Sequence, residues 1–126
     1  MPLFFEHEYA TDYKSFLSRQ PGIGNIQAME DAEVLQLNYN NMQRLYNQIP
    51  AWQKYGRLVA EAIFLQAEDR AKELLLSTPE DMYLRLVHEQ SQILDRVPQH
   101  LIASYLGIKP ESLSRIRKRV MVEKRA

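Results

Sequence analysis

The stretch "HLIASYLGIKPESLSRIRKR" (100–119) constrains the fold of this chain more than any other. A small residue, Ala103, is followed four positions later by Gly107, which can adopt the positive φ of a tight turn. Pro110 suits the first turn of a helix, where its missing N–H costs nothing. Apolar residues suited to two inward helix faces are Ile102, Leu106, Ile108, Leu113 and Ile116. The pattern predicts a helix-turn-helix.

The charge of this stretch favours a polyanionic partner. The chain has no net charge, but residues 109–126 hold seven basic and two acidic side chains, a net charge of +5. Residues 1–37 carry −4 and residues 38–108 carry −1. A polyanion within about 8 Å, the Debye length at physiological ionic strength, responds to this local charge. We therefore predict binding to double-stranded DNA; the alternative is an αα-hairpin that only packs.

The candidate DNA-binding residues lie on the second helix or just before it. They are Lys109, Glu111, Ser112, Ser114, Arg115, Arg117, Lys118 and Arg119. The mixture of carboxylate, hydroxyl and guanidinium groups, followed by a run of cations, is typical of base readers beside phosphate binders.

A long helix is predicted to begin at Pro50 and to run to about Leu76. One apolar stripe along it comprises Trp52, Gly56, Val59, Ile63 and Ala67, and its neighbour comprises Tyr55, Leu58, Ala62 and Leu65. An apolar surface this wide needs more than one packing partner. We expect a second copy to supply one, in a two-fold homodimer through residues 50–76. The alternative is the central core helix of a monomer.

Shorter helices are predicted on both sides of it. One, at residues 40–48, is expected to end before Pro50, which disfavours helical geometry at the preceding residue. The other starts at Pro79, with Thr78 as its N-cap. Its buried face is expected to comprise Met82, Val87 and either Leu84 or Leu86. The segment "SQILDRVP" then connects it to the C-terminal pair.

The N-terminal segments alternate in the manner of β-strands. "LFFEHEY" (3–9) is aromatic, and "NIQAMEDAEVLQLNY" (25–39) contains two short alternating runs separated by Glu30-Asp31. Between them, residues 10–24 predict a short helical turn closed by Pro21-Gly22. Three strands are too few for a closed sheet, so they would leave an open edge and an uncovered apolar face.

"IASYLGIKPESLSRIRKR" strongly resembles the helix-turn-helix of Crp/Fnr-type bacterial transcription regulators, particularly a branch common in Bacteroidetes. "FFEHEYATDYKSFLSRQP" and "STPEDMYLRL" fit the same branch. The resemblance implies an α+β fold with three parts. These are a partial β-roll of the cyclic-nucleotide-binding type (1–49) that lacks its early strands, a long dimerisation helix (50–76) and a helix-turn-helix DNA-binding domain (77–126). It also implies a homodimeric transcriptional regulator that binds a pseudo-palindromic operator, with RNA polymerase as a further candidate partner.

The family's base-reading signature, Glu-x-x-Ser-Arg, corresponds to Glu111, Ser114 and Arg115. The resemblance implies that Arg115 donates to guanine O6 and N7, that Glu111 accepts from cytosine N4, and that Ser114 serves either. The cations at 117–119 are expected to bind phosphates, with an affinity that falls as salt rises. In a symmetric dimer the two recognition helices would lie about 34 Å apart.

Nucleotide-binding members of the family hold the ribose with a Gly-Glu pair and the cyclic phosphate with an Arg-Ser pair. The corresponding positions in this chain are Thr11-Asp12 and Gly22-Ile23, and Arg19 is out of register with the phosphate. We therefore expect no binding of cyclic AMP and no cofactor.

Other classes of function have little support in the sequence. The chain has no cysteine, which excludes disulfides, iron–sulfur clusters and thiol catalysis. His7, His88 and His100 lack the spacing of a metal site, so neither a metal nor an enzyme is predicted. No apolar run approaches the roughly 20 residues that span a bilayer, and a cytoplasmic protein is expected. The remaining alternative is a truncated regulator that acts only as a dimerising interaction module.

Overall fold

The computed structural model describes residues 1–125, which form helices and no strand. The helices are α1 (Tyr13–Ser18), α2 (Tyr39–Gln48), α3 (Pro50–Leu76), α4 (Pro79–Glu89), α5 (Ser91–Arg96), α6 (Gln99–Leu106) and α7 (Pro110–Arg125). The chain divides into two compact units. The N-terminal unit is Phe4–Leu65, and the C-terminal unit comprises Met1–Leu3 and the residues from Gln66 onward.

The predicted partial β-roll is wrong, and so is the α+β fold class. Residues 3–9 contain a turn in place of a strand, because the N–H of Glu8 donates to the Phe5 carbonyl at 3.2 Å. His7 lies inside this turn with a φ of 66°. The alternating run around Leu35 is irregular, and that side chain is 101% exposed. Alternation stabilises a strand only when another strand pairs with its backbone, and residues 1–125 supply no such strand.

The helix predictions for the middle of the chain are confirmed at α2, α3 and α4. Thr78 caps α4 as predicted: the N–H of Asp81 donates to its Oγ1 at 3.1 Å, and the Thr78 N–H donates to the Asp81 carboxylate. The segment predicted as a connection contains α5 instead. Ile93 and Val97, four residues apart, are both buried, and this packing favours a helical turn there.

The C-terminal unit has a continuous apolar core formed by α4 to α7. Its buried residues are Met82, Tyr83, Leu86, Ile93, Val97, Ile102, Ala103, Leu106, Leu113, Ile116 and Val120. The last turns of α3 join this unit through Arg70, whose guanidinium lies 3.9 Å from the centre of the Tyr105 ring. The same guanidinium donates to the Tyr105 carbonyl and forms an ion pair with Glu73 at 2.6 Å.

The N-terminal unit buries far less. Met42 and Gly56 are its buried residues in the described chain. The Tyr46 ring lies directly on Gly56, where a Cβ would overlap the hydroxyl end of the ring. Of the two predicted stripes on α3, the one through Gly56 is mostly half-buried, and the one through Leu58 is exposed.

Although α3 is 27 residues long, no helix within residues 1–125 combines the length and the apolarity needed to cross a membrane.

Candidate nucleic-acid interface

Helices α6 and α7 are joined by a tight turn at Gly107. This residue has φ 72° and ψ 27°, so the positive φ predicted for it is confirmed. Its N–H donates to the Ser104 carbonyl at 3.1 Å, and the N–H of Ile108 donates to the Ala103 carbonyl at 2.9 Å. The turn thus satisfies two of the last four carbonyls of α6, those of Ala103 and Ser104.

One face of α7 packs into the core of the C-terminal unit. We refer to Leu113, Ile116 and Val120 on this face as the buried ridge. Of the five residues predicted to face inward, the four on α6 and α7 are buried, and Ile108, in the turn between the two helices, is half-buried. Val120 was missed by the sequence analysis, although it lies four residues after Ile116 and continues the same helical face. The ridge therefore holds α7 over two turns.

From Glu111 to Lys118, the opposite face of α7 is polar and open to solvent. Because successive residues advance by about 100° around a helix, the side opposite the buried ridge can be assigned. We call it the reading face; it comprises Glu111, Ser114, Arg115 and Lys118, all exposed. Arg117 lies on one flank, and Ser112 and Arg119 lie on the other. The structure thus places the three predicted base readers on one exposed face.

Ser112 orients Arg115 within the helix. The Arg115 Nη2 donates to the Ser112 Oγ at 3.2 Å, across one helical turn. Ser112 is half-buried, whereas Arg115 is exposed. Ser112 is therefore placed to position the arginine, and it is less accessible than Ser114 to a bound ligand.

The four cations among the predicted DNA-binding residues, other than Arg115, differ from one another. Lys109, Arg117 and Lys118 are exposed, and none of them has an ion-pair partner within residues 1–125. Arg119 is paired instead: its Nη2 lies 2.6 Å from Oε2 of Glu80, the second residue of α4. No local spacing could have indicated this pair, because its members are 39 positions apart in the chain.

The start of α4 and the flank of α7 line a shallow groove. Its polar lining comprises Thr78 and Glu80 on one side and Ser112, Arg115 and Arg119 on the other.

The Thr78 side chain, with the Thr78 N–H and the charge of Arg85, lowers the pKa of the Asp81 carboxyl below its ordinary value. Asp81 is thus ionised at neutral pH and is committed to the N-terminus of α4.

Two more cations extend the basic surface of α7. Lys124 and Arg125 are exposed in the last turn of the helix. They were counted in the net charge of residues 109–126, but the sequence-based prediction of DNA-binding residues did not include them.

In the described chain, no group of three or more His, Asp or Glu side chains could hold a metal ion.

No family model matches this chain, and no curated protein or solved structure is significantly similar to it.

Proposed function

We propose that this chain is a sequence-specific DNA-binding transcriptional regulator of the Crp/Fnr type that uses α7 as its recognition helix. The observation that carries the proposal is the division of α7 into a buried ridge and a polar reading face. A helix anchored on one side and presenting donors and acceptors on the other suits the major groove of DNA. Such a regulator would act in the cytoplasm of a bacterium.

On the reading face, Arg115 would donate to guanine O6 and N7, and Glu111 would accept from cytosine N4. Ser114 would serve either base, and Ser112 would hold the Arg115 side chain in position. Lys109, Arg117 and Lys118, which have no ion-pair partner in the described chain, would bind phosphates and make the affinity depend on salt.

The exposed stripe of α3 supports a homodimer through residues 50–76. Tyr55, Leu58 and Leu65 expose between 41% and 58% of their surface, which is unfavourable unless a partner covers them. A two-fold dimer would place two recognition helices about 34 Å apart on a pseudo-palindromic operator. RNA polymerase is a further candidate partner, and cyclic AMP is not expected to bind.

A selection from random DNA duplexes with the purified full chain tests the proposal. We expect a pseudo-palindromic sequence to be recovered. Arg115→Ala should weaken binding to that duplex by about 1–3 kcal/mol and relax the preference at one position of each half-site. The control is Arg44→Ala, which removes an exposed arginine of α2 and should change neither. Selection of the wild-type sequence by Arg115→Ala would contradict direct base reading.

A second candidate function is favoured by the same exposed stripe of α3. The chain would then be a dimerising interaction module without promoter-specific activity. Sedimentation and duplex titration separate the two functions. An interaction module would dimerise but would bind duplexes without sequence preference or not at all.

A further inference from the structure

The ion pair with Glu80 separates Arg119 from the two cations that precede it. Arg117, Lys118 and Arg119 are consecutive and exposed, but within the described chain only Arg119 has an ion-pair partner. The Arg119 Nη2 lies 2.6 Å from the Glu80 Oε2. Two of the three cations can therefore meet an anionic polymer at once, and the charge of the third is already balanced.

Glu80 is held in place for this role by the start of α4. It lies between Pro79, which fixes the first helical φ, and Asp81, which is committed to the capping box with Thr78. The Glu80 side chain is 31% exposed, and the Arg119 side chain is 58% exposed. The carboxylate is thus partly withdrawn from water, so salt screens the pair less than it would screen two fully exposed charges.

We propose that Glu80 lowers the affinity of α7 for the phosphates of DNA by holding Arg119 in this ion pair. The inference rests on the proposed function. When a cation neutralises a phosphate, condensed counterions are released, and the slope of log Kobs against log salt changes by about −0.9 for each phosphate. Arg119 contributes nothing to this slope while Glu80 balances its charge. Exposed ion pairs add little to folding stability, so a variant without the pair should fold.

Glu80→Gln tests the proposal in a titration of the full chain with a duplex of arbitrary sequence across a range of salt concentrations. We expect the slope to become steeper by about 0.9, because Arg119 is released to bind a phosphate. The double variant Glu80→Gln/Arg119→Gln should return to the wild-type slope, since neither member then carries a charge.

Glu61→Gln is the matched control. It makes the same change in net charge and also breaks an ion pair with an arginine, because Glu61 lies 2.7 Å from Arg57 on α3. It should leave the slope unchanged. The proposal is overturned if Glu80→Gln gives the same slope as Glu61→Gln, or if the double variant keeps the steeper slope.

Elution from immobilised heparin provides a readout that does not require DNA binding. Heparin is a sulfated polymer that retains proteins through clusters of unbalanced cations, and a released Arg119 would join Arg117 and Lys118 in one cluster on α7. Glu80→Gln should elute at higher salt than Glu61→Gln, and equal elution would overturn the proposal. If the wild-type chain binds no duplex in a salt-dependent manner, the proposed function fails, and the heparin result still decides whether Glu80 restrains Arg119.

Discussion

The two units of this chain contain similar numbers of residues but use their apolar side chains differently. Eleven of the twelve buried apolar side chains among residues 1–125 belong to the C-terminal unit. In the N-terminal unit, Met42 is the exception, and large side chains such as Ile23 and Leu35 are fully exposed. Apolar content is therefore not sufficient for a core. The spacing of the apolar residues must also match an element that can form in its surroundings.

The difference follows from how each kind of element satisfies its backbone. A helix pairs its N–H and C=O groups internally, so a helical spacing needs only an apolar surface to pack against. A strand depends on a second strand for the same hydrogen bonds, and alternation alone cannot provide one. The helix around Leu113 has an apolar surface to pack against. The alternating segment around Leu35 has no strand to pair with in the described chain.

The largest expected difference between the two units is the loss of stability when a leucine is truncated. Leu113→Ala removes a side chain that is 1% exposed and should lower the free energy of unfolding by about 2–5 kcal/mol. Leu35→Ala makes the same chemical change in the N-terminal unit and should leave stability within about 0.5 kcal/mol. Urea denaturation followed by circular dichroism measures both. Equal losses would mean that Leu35 has a packing partner in solution.

The turn between α6 and α7 gives a smaller expected effect. Gly107→Ala forces a side chain into a left-handed conformation and should cost about 1–2 kcal/mol of stability. The space around the added Cβ is open, so the cost comes from the backbone alone. Gly24→Ala is the control, because Gly24 also has open space but no positive φ. If both variants are equally stable, the turn does not require the left-handed conformation.

The cap of α4 gives the smallest effect, which depends on pH, whereas the cap of α2 should not respond to pH. The pKa of Asp81 is lowered in the folded chain, so its contribution to stability is complete above the ordinary value of 3.8. This contribution is lost as the pH falls through the lowered pKa. The cap of α2 uses the Asn38 amide, which accepts from the Asn41 N–H at 2.9 Å and does not titrate.

Backbone carbon chemical shifts measured from pH 5 downward test this difference. The first turn of α4 should lose helical character at acidic pH, and the first turn of α2 should not. Asp81→Asn should abolish the pH response of α4. An equal response at both helices would show that the capping box is not its cause.

Local signals in the sequence were enough to predict the helix starts and the turn. Pro50, Pro79 and Pro110 begin helices as expected, and Gly107 has the predicted φ. These predictions succeed because a proline or a glycine restricts the backbone at its own position. The β-roll was wrong because it required partners that no local pattern specifies. The Glu80–Arg119 pair depends on how α4 and α7 pack, so it could not be predicted either.

The buried ridge of α7 also has a thermodynamic consequence. Segments that fold as they bind bury large apolar areas and produce a strongly negative change in heat capacity. Because Leu113, Ile116 and Val120 already hold α7 against the core, no helix would have to form when DNA is bound. If the chain binds DNA as proposed, α7 should therefore contribute little to the change in heat capacity, which titration calorimetry at several temperatures measures.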